Sequence, residues 1–197
     1  MVSTIDGKTV TGGREDHVLD LGSKTDHLLM RRITDQCDAV LVGAQTLRAT
    51  PTNWNPGTRF RLVVTRSGNL DFAAQYFSSG GVVVTPASTQ VDVPEGVDRW
   101  HFGETKLDFK ALLGELRARG VHRLLILGGS EINAEFLRRD LVDELFWTVA
   151  PKIRLGRDLP GYAGGEPLTR EMVQPYHLVE SHIVADEVFL RYRRIFS

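Results

Sequence analysis

Leu124-Leu125-Ile126-Leu127-Gly128-Gly129-Ser130-Glu131-Ile132-Asn133-Ala134-Glu135-Phe136-Leu137 is the stretch that decides how this chain folds. Its apolar first part, bounded by glycine, reads as a short buried strand. Gly128 and Gly129 let the backbone turn tightly, with no Cβ in the way. Ser130 stands where an N-cap is expected, and Glu131 follows in the first helical turn. Such a junction aims unpaired N–H groups and the positive end of a helix at one spot, which suits a phosphate or pyrophosphate. The alternative is that the glycine pair only makes the turn.

Outward from this junction, strands and helices alternate. Ser23-Lys24-Thr25-Asp26 reads as a capping box with Asp in place of Glu, opening a helical segment from Leu28 to Gln36. Ala39–Val42 is a buried strand ended by Gly43-Ala44. Arg61–Thr65 and Gly81–Thr85 are further strands, with Asp71 capping a short helix through Tyr76 between them. Residues 87–95 are loop-like. Phe109, Leu112, Leu113 and Leu116 recur at helical spacing, and Gly120 closes that helix. Leu145–Ala150 is a strand stopped by Pro151, and a glycine-rich loop runs from Gly156 to Gly165. His177–Val184 and Val188–Ile195 flank Asp186-Glu187 as a hairpin. The expected architecture is a three-layer αβα domain spanning residues 1–197, its central sheet mostly parallel and made mixed by the hairpin.

Composition sets bounds. Of 197 residues, 42% are hydrophobic and 25% charged, ordinary for a globular domain. A net charge of -1 gives no electrostatic case for nucleic acid. No apolar run reaches membrane-span length, and the N-terminus has no signal-like segment. The single cysteine, Cys37, reads as small buried filler and points to a reducing, cytoplasmic setting. The six histidines (17, 27, 101, 122, 177 and 182) show no metal-ligand spacing, so no metal site is expected.

Ligands of open α/β sheets gather at the carboxyl ends of strands. Three such ends carry useful chemistry: Gly43-Ala44-Gln45-Thr46, Thr65-Arg66-Ser67 and Gly128-Gly129-Ser130. The first offers backbone N–H groups to a diphosphate. The second offers a guanidinium flanked by hydroxyls, suited to a phosphate monoester such as the 2′-phosphate of NADP. Each is also readable as a plain turn, but three together favour a dinucleotide if they converge in space.

The order of motifs resembles the reductase domain of the riboflavin-pathway deaminase–reductases, within the dihydrofolate reductase-like superfamily. The pieces that carry the likeness are Ser3-Thr4-Ile5-Asp6-Gly7-Lys8, Ser23-Lys24, Asp38-Ala39-Val40-Leu41-Val42-Gly43-Ala44-Gln45-Thr46, Leu127-Gly128-Gly129-Ser130 and Leu141-Val142-Asp143-Glu144-Leu145 running into Val149-Ala150-Pro151. The resemblance implies NADPH as cofactor and reduction of the ribosyl group of an aminopyrimidine phosphoribosyl compound, 5-amino-6-(5-phosphoribosylamino)uracil, to a ribityl chain. It implies cofactor contacts at Ser3, Thr46, Thr50 and the run from Gly129 to Glu135, which includes Glu131, Ile132 and Asn133. Ser23 and Leu127 fall on substrate positions, and Lys8 is a further substrate candidate in the matched turn. A homodimer, formed through the terminal strands, is also implied.

The chain departs from that pattern in places. A paired Asp-Asp-Pro is replaced by Ala49-Thr50-Pro51, and a Glu before the glycine pair by Leu127. These losses leave open a pteridine or dihydrofolate-type substrate, or a non-catalytic nucleotide-binding role. Asp6 and Lys8 are candidate proton donors, with water or the substrate itself as other sources; the alternative for Asp6 is a backbone hydrogen-bond acceptor in the Asp-Gly turn. Trp54 is a candidate stacking residue, or an aromatic pinning its loop. The fold also calls for a strand before Asp6. Either that strand is very short, or the natural chain begins upstream of Met1.

Overall fold

A computed structural model describes residues 1–13, 16, 18–50 and 55–195. His17, Pro51 and the Thr52-Asn53-Trp54 stretch lie outside the described residues. In chain order the elements are β1 (Val2–Thr4), α1 (Lys24–Thr34), β2 (Ala39–Gly43), α2 (Ala44–Ala49), β3 (Phe60–Val64), β4 (Gly81–Thr85), β5 (Val97–His101), α3 (Phe109–Ala118), β6 (Leu124–Ile126), α4 (Ser130–Arg138), β7 (Glu144–Ala150), β8 (Tyr176–Val184) and β9 (Glu187–Arg194). They form two compact units, one of Met30–Gly128 and one of Met1–Leu29 with Gly129–Ser197.

The Met30–Gly128 unit is built on a five-stranded parallel sheet of order β5-β4-β3-β2-β6. Its central strands are valine- and leucine-rich because both faces are covered. On one face Val40, Val42, Val63 and Val83 pack with Ala44 and Leu47 of α2 and with Ala74, Tyr76 and Phe77. Strand alternation turns Leu41, Leu62, Val64, Val82 and Val84 to the other face, and all are buried. There Arg119, the C-cap residue of α3, lies 4.6 Å over the Trp100 ring. Tyr76 is fully buried and donates its hydroxyl to the Leu62 carbonyl at 3.2 Å.

The other unit holds a four-stranded sheet of order β1-β7-β9-β8. β1 runs parallel to β7, and the rest is antiparallel. The strand before Asp6 is three residues long. β8 is a largely exposed edge strand, with Leu178, Ile183 and Val184 open to solvent. Glu144 of β7 receives Arg191 and Arg193 of β9, and Arg191 also reaches Glu180 of β8.

The sequence reading has the terminal hairpin make the central sheet mixed; instead β8 and β9 join β7 in a sheet of their own, and the five-stranded sheet is wholly parallel. The other differences are local. β5 was not expected, because Val97-Asp98-Arg99-Trp100-His101 has one buried apolar residue and its charges resemble a loop. Asp71 caps no α-helix; its carboxylate accepts the Ala73 N–H, and only a 3₁₀ turn at Gln75–Phe77 follows. α1 starts at Lys24, immediately after its cap, instead of at Leu28. Ser23 Oγ does accept the Thr25 and Asp26 N–H groups, at 3.1 and 3.3 Å. The reciprocal half of the box comes from Glu187, whose carboxylate accepts the Ser23 N–H at 2.9 Å and also the Ser23 hydroxyl. Glu187 therefore belongs to β9 and not to the hairpin turn, where Ala185 takes a positive φ of 52°.

Candidate functional site

Parallel pairing fixes which loops share an edge. Gly43 pairs with Val64, and the Gly43 N–H donates to the Gly128 carbonyl at 2.7 Å. Residues 43, 65–67 and 128 therefore leave the carboxyl edge of three neighbouring strands, in the order β3-β2-β6. The Thr65-Arg66-Ser67 turn is shaped from within. Buried Thr65 accepts the Gly68 N–H on Oγ1 at 3.1 Å, and Ser67 Oγ accepts the Asn69 N–H at 3.3 Å. Gly68 has φ of 72°, and a Cβ there would sit 2.7 Å from the Gln90 carbonyl, so only glycine closes this turn. Thr89 Oγ1 ties the Arg66 carbonyl down at 2.8 Å. The Arg66 side chain is exposed and has no ion pair or hydrogen bond among the described residues.

Beside it, α2 begins on Gly43 with no side-chain cap. Ala44 is buried, Thr46 half-buried, and the Thr50 hydroxyl donates to the Thr46 carbonyl at 2.8 Å, closing the last turn. Thr50 thus spends its donor on its own helix.

At the second junction Gly128 has φ of 87°, the left-handed turn that the sequence assigned to the glycine pair. The cap is a correction. Gly129 is the N-cap and Ser130 the first helical residue, so no side chain caps α4. Among the described residues the first-turn N–H groups of Ser130, Glu131 and Ile132 have no side-chain acceptor, and the helix start suits an anion better than a serine-capped one. Asn133 is buried, and its Nδ2 donates to the Tyr162 carbonyl at 2.7 Å. Gly164 donates its N–H to the Ser130 carbonyl at 3.0 Å. Neither Tyr162 nor Gly164 was singled out from the sequence; the glycine-rich loop was visible, but not where it lands.

The remaining candidates have these surroundings. Ser3 is fully buried, accepts the Trp147 indole N–H at 2.8 Å and donates to the Thr4 carbonyl, so its hydroxyl is committed to the interior. Leu127 packs against the apolar cluster of the parallel sheet. Lys8 Nζ reaches the Leu159 carbonyl at 3.4 Å. The Asp6 carboxylate accepts the Arg154 and Leu155 N–H groups at 3.0 and 2.9 Å. The Arg154 N–H, with the Thr4 hydroxyl and the Leu155 N–H, holds its pKa down to about 2. Asp6 is an acceptor both within its own turn, from the Thr4 hydroxyl and its own backbone N–H, and for the distant loop at Arg154 and Leu155. Burial pushes the Cys37 thiol up, which suits filler and not a nucleophile. No cluster of three or more His, Cys, Asp or Glu among the described residues could hold a metal ion.

A parallel sheet with an uncapped glycine junction at its carboxyl edge, and a mixed sheet carrying a terminal hairpin, define the dihydrofolate reductase-like class of α/β proteins. The chain belongs to the RibD C-terminal domain family, which it matches over residues 1–186. It is 26% identical over 199 residues to the 2,5-diamino-6-ribosylamino-4(3H)-pyrimidinone 5′-phosphate reductase of Aquifex aeolicus, covering 92% of this chain and 88% of that one. Identity to the enzyme of the same name from Methanothermobacter thermautotrophicus is 27%, with 92% of each covered. Among solved structures, RibD of Acinetobacter baumannii superposes with a TM-score of 0.81 at 19% identity, over all of this chain and 57% of that one. A pyrimidine reductase-like protein of Corynebacterium diphtheriae gives the same TM-score at 21% identity, over 100% and 90%. The relatives are reductases, and this chain is an oxidoreductase of their kind.

Proposed function

We propose that the chain is an NADPH-dependent reductase of riboflavin biosynthesis that converts the ribosyl group of an aminopyrimidine 5′-phosphate to ribityl by hydride transfer. The observation that carries this reading is the family match from residue 1 to 186, which takes in every candidate position. The same match, over residues 1–186, supports reading the chain as one reductase domain. Of the two pyrimidines, the 2,5-diamino compound is favoured over the deaminated uracil, because the curated relatives are named for it.

In this reading the 2′-phosphate goes to Arg66 and Ser67, with Thr65 shaping their turn. Backbone N–H groups at Gly43–Thr46 are one candidate for the diphosphate, and those at Gly128–Ser130, with Glu131 and Ile132 in the same turn, are another. The nicotinamide supplies the hydride, and the protein binds and orients it. Ser23 and Lys8 remain substrate candidates. Asp6 orders the loop at Arg154 and Leu155, because a carboxyl with a pKa of about 2 has no proton to give at neutral pH. A homodimer through the terminal strands agrees with the exposed apolar residues of β8. A cytoplasmic setting agrees with a biosynthetic role.

The deciding experiment follows NADPH oxidation at 340 nm with three substrates: the diamino ribosyl phosphate, its deaminated uracil counterpart and a dihydropterin. Turnover of the diamino compound alone, with a ribityl product by mass spectrometry, supports the reading. Turnover of the pterin alone overturns it. NADPH binding without any turnover points instead to a non-catalytic nucleotide-binding protein.

A further inference from the structure

The segment from Leu159 to Glu166 has no regular structure, yet it is fastened at both ends. On one side, the Thr9 N–H donates to the Pro160 carbonyl at 3.0 Å, the Thr9 hydroxyl lies 3.2 and 3.3 Å from the Pro160 and Gly161 carbonyls, and Lys8 bridges Gly161. On the other side, three successive groups meet α4. Asn133 Nδ2 holds the Tyr162 carbonyl, the Gly164 N–H holds the Ser130 carbonyl, and Arg138 holds the Glu166 carbonyl. The approach is tight: a Cβ on Gly164 would fall 2.4 Å from Glu131 Oε1 and 3.3 Å from Ser130 Oγ. Between the two sides the Tyr162 ring lies 5.6 Å from that of Trp147, whose indole N–H is bonded to Ser3.

Asn133 differs from the other fasteners. It is 6% exposed, whereas Arg138 is partly open and Gly164 contributes only backbone. A buried carboxamide is expensive to strand, so its bond to Tyr162 is strongly specified. It also sits one turn into the helix whose uncapped start faces the proposed coenzyme phosphates. We propose that Asn133 is a positioning residue: its carboxamide pins the 159–166 strap across the first turn of α4 and so fixes the wall beside the coenzyme diphosphate. This inference rests on the coenzyme assignment above. It assigns the Asn133 side chain an indirect role at a position where the resemblance implies a coenzyme contact.

The test measures NADP⁺ and NADPH affinity by tryptophan fluorescence, alongside KM and kcat, in wild type, Asn133→Ala and Asn133→Asp. Trp147, one of three tryptophans, adds a signal from beside the strap that needs no turnover. Loss of one buried hydrogen bond is expected to weaken coenzyme binding about tenfold in Asn133→Ala. KM for NADPH rises with it and kcat changes little. Asn133→Asp keeps the volume but sets a carboxylate against a carbonyl. It should bind as weakly as Asn133→Ala at neutral pH and recover in acid, where the protonated side chain donates to Tyr162 again. Wild-type affinity in folded Asn133→Ala, or no recovery of Asn133→Asp in acid, overturns the inference. If the wild type itself binds neither coenzyme form, it is the coenzyme assignment that fails.

Discussion

The two sheets of this protein hold together by different physics. In the parallel sheet β2 is buried along its whole length, and β3 and β4 carry buried residues on both faces. In the mixed sheet β8 is mostly solvent-exposed, and β7, β9 and β8 are laced by Glu144, Arg191, Arg193 and Glu180. Hydrophobic burial is not directional and pays a large, uniform return, so the parallel sheet is a rigid base for the loops at its edge. Exposed ion pairs return little, because water and salt screen them. The hairpin therefore depends on specific tethers, of which Ser23 to Glu187 is the most buried.

The contrast can be broken most sharply in the core. Leu41→Ala should cost about 3 kcal/mol in urea unfolding, through lost transfer energy and a cavity between packed layers. Arg66→Ala, at the edge of the same sheet, should leave the unfolding midpoint alone. It should weaken NADPH about tenfold to a hundredfold while changing NADH less than about twofold, since only NADPH carries the 2′-phosphate. Equal losses for both coenzymes would remove the 2′-phosphate assignment. In the other unit, Ser23→Ala removes a helix cap and one partner of buried Glu187, and about 2 kcal/mol is expected.

Acid sharpens the comparison further. The Asp6 pKa lies at about 2 when folded, below the ordinary carboxylate value of about 3.9. Its contribution is complete above the unfolded value and is lost as pH falls through the folded one. Asp6→Asn should thus flatten the fall in stability between roughly pH 4 and pH 2, a window read by thermal melts in a pH series. The smallest effect is expected on β8, where Ile183→Ala removes a side chain that is 76% exposed. A change below about 0.5 kcal/mol in the monomer is expected. A larger loss that depends on protein concentration would mean that this edge is covered by a second copy.

Several elements were legible because local chemistry and burial agree. The Val-rich strands at Ala39–Gly43 and Gly81–Thr85, the heptad-like face of α3 and the glycine stops were all visible from spacing. β5 was not, because an edge strand needs little apolar content and borrows its order from β4. The cap of α4 was misplaced by one residue, since Gly129 caps through backbone geometry alone and leaves no polar side chain to read.

By itself the sequence determined the alternation of strands and helices, the glycine turns and the family likeness, all properties of neighbouring residues. Only the tertiary structure decided that residues 43, 66 and 128 share one sheet edge, that Glu187 completes the cap at Ser23, and that Asn133 is spent on Tyr162. Those partners lie far apart in sequence. A hydrogen bond between distant residues leaves no periodicity in the chain, and only folding brings its donor to its acceptor.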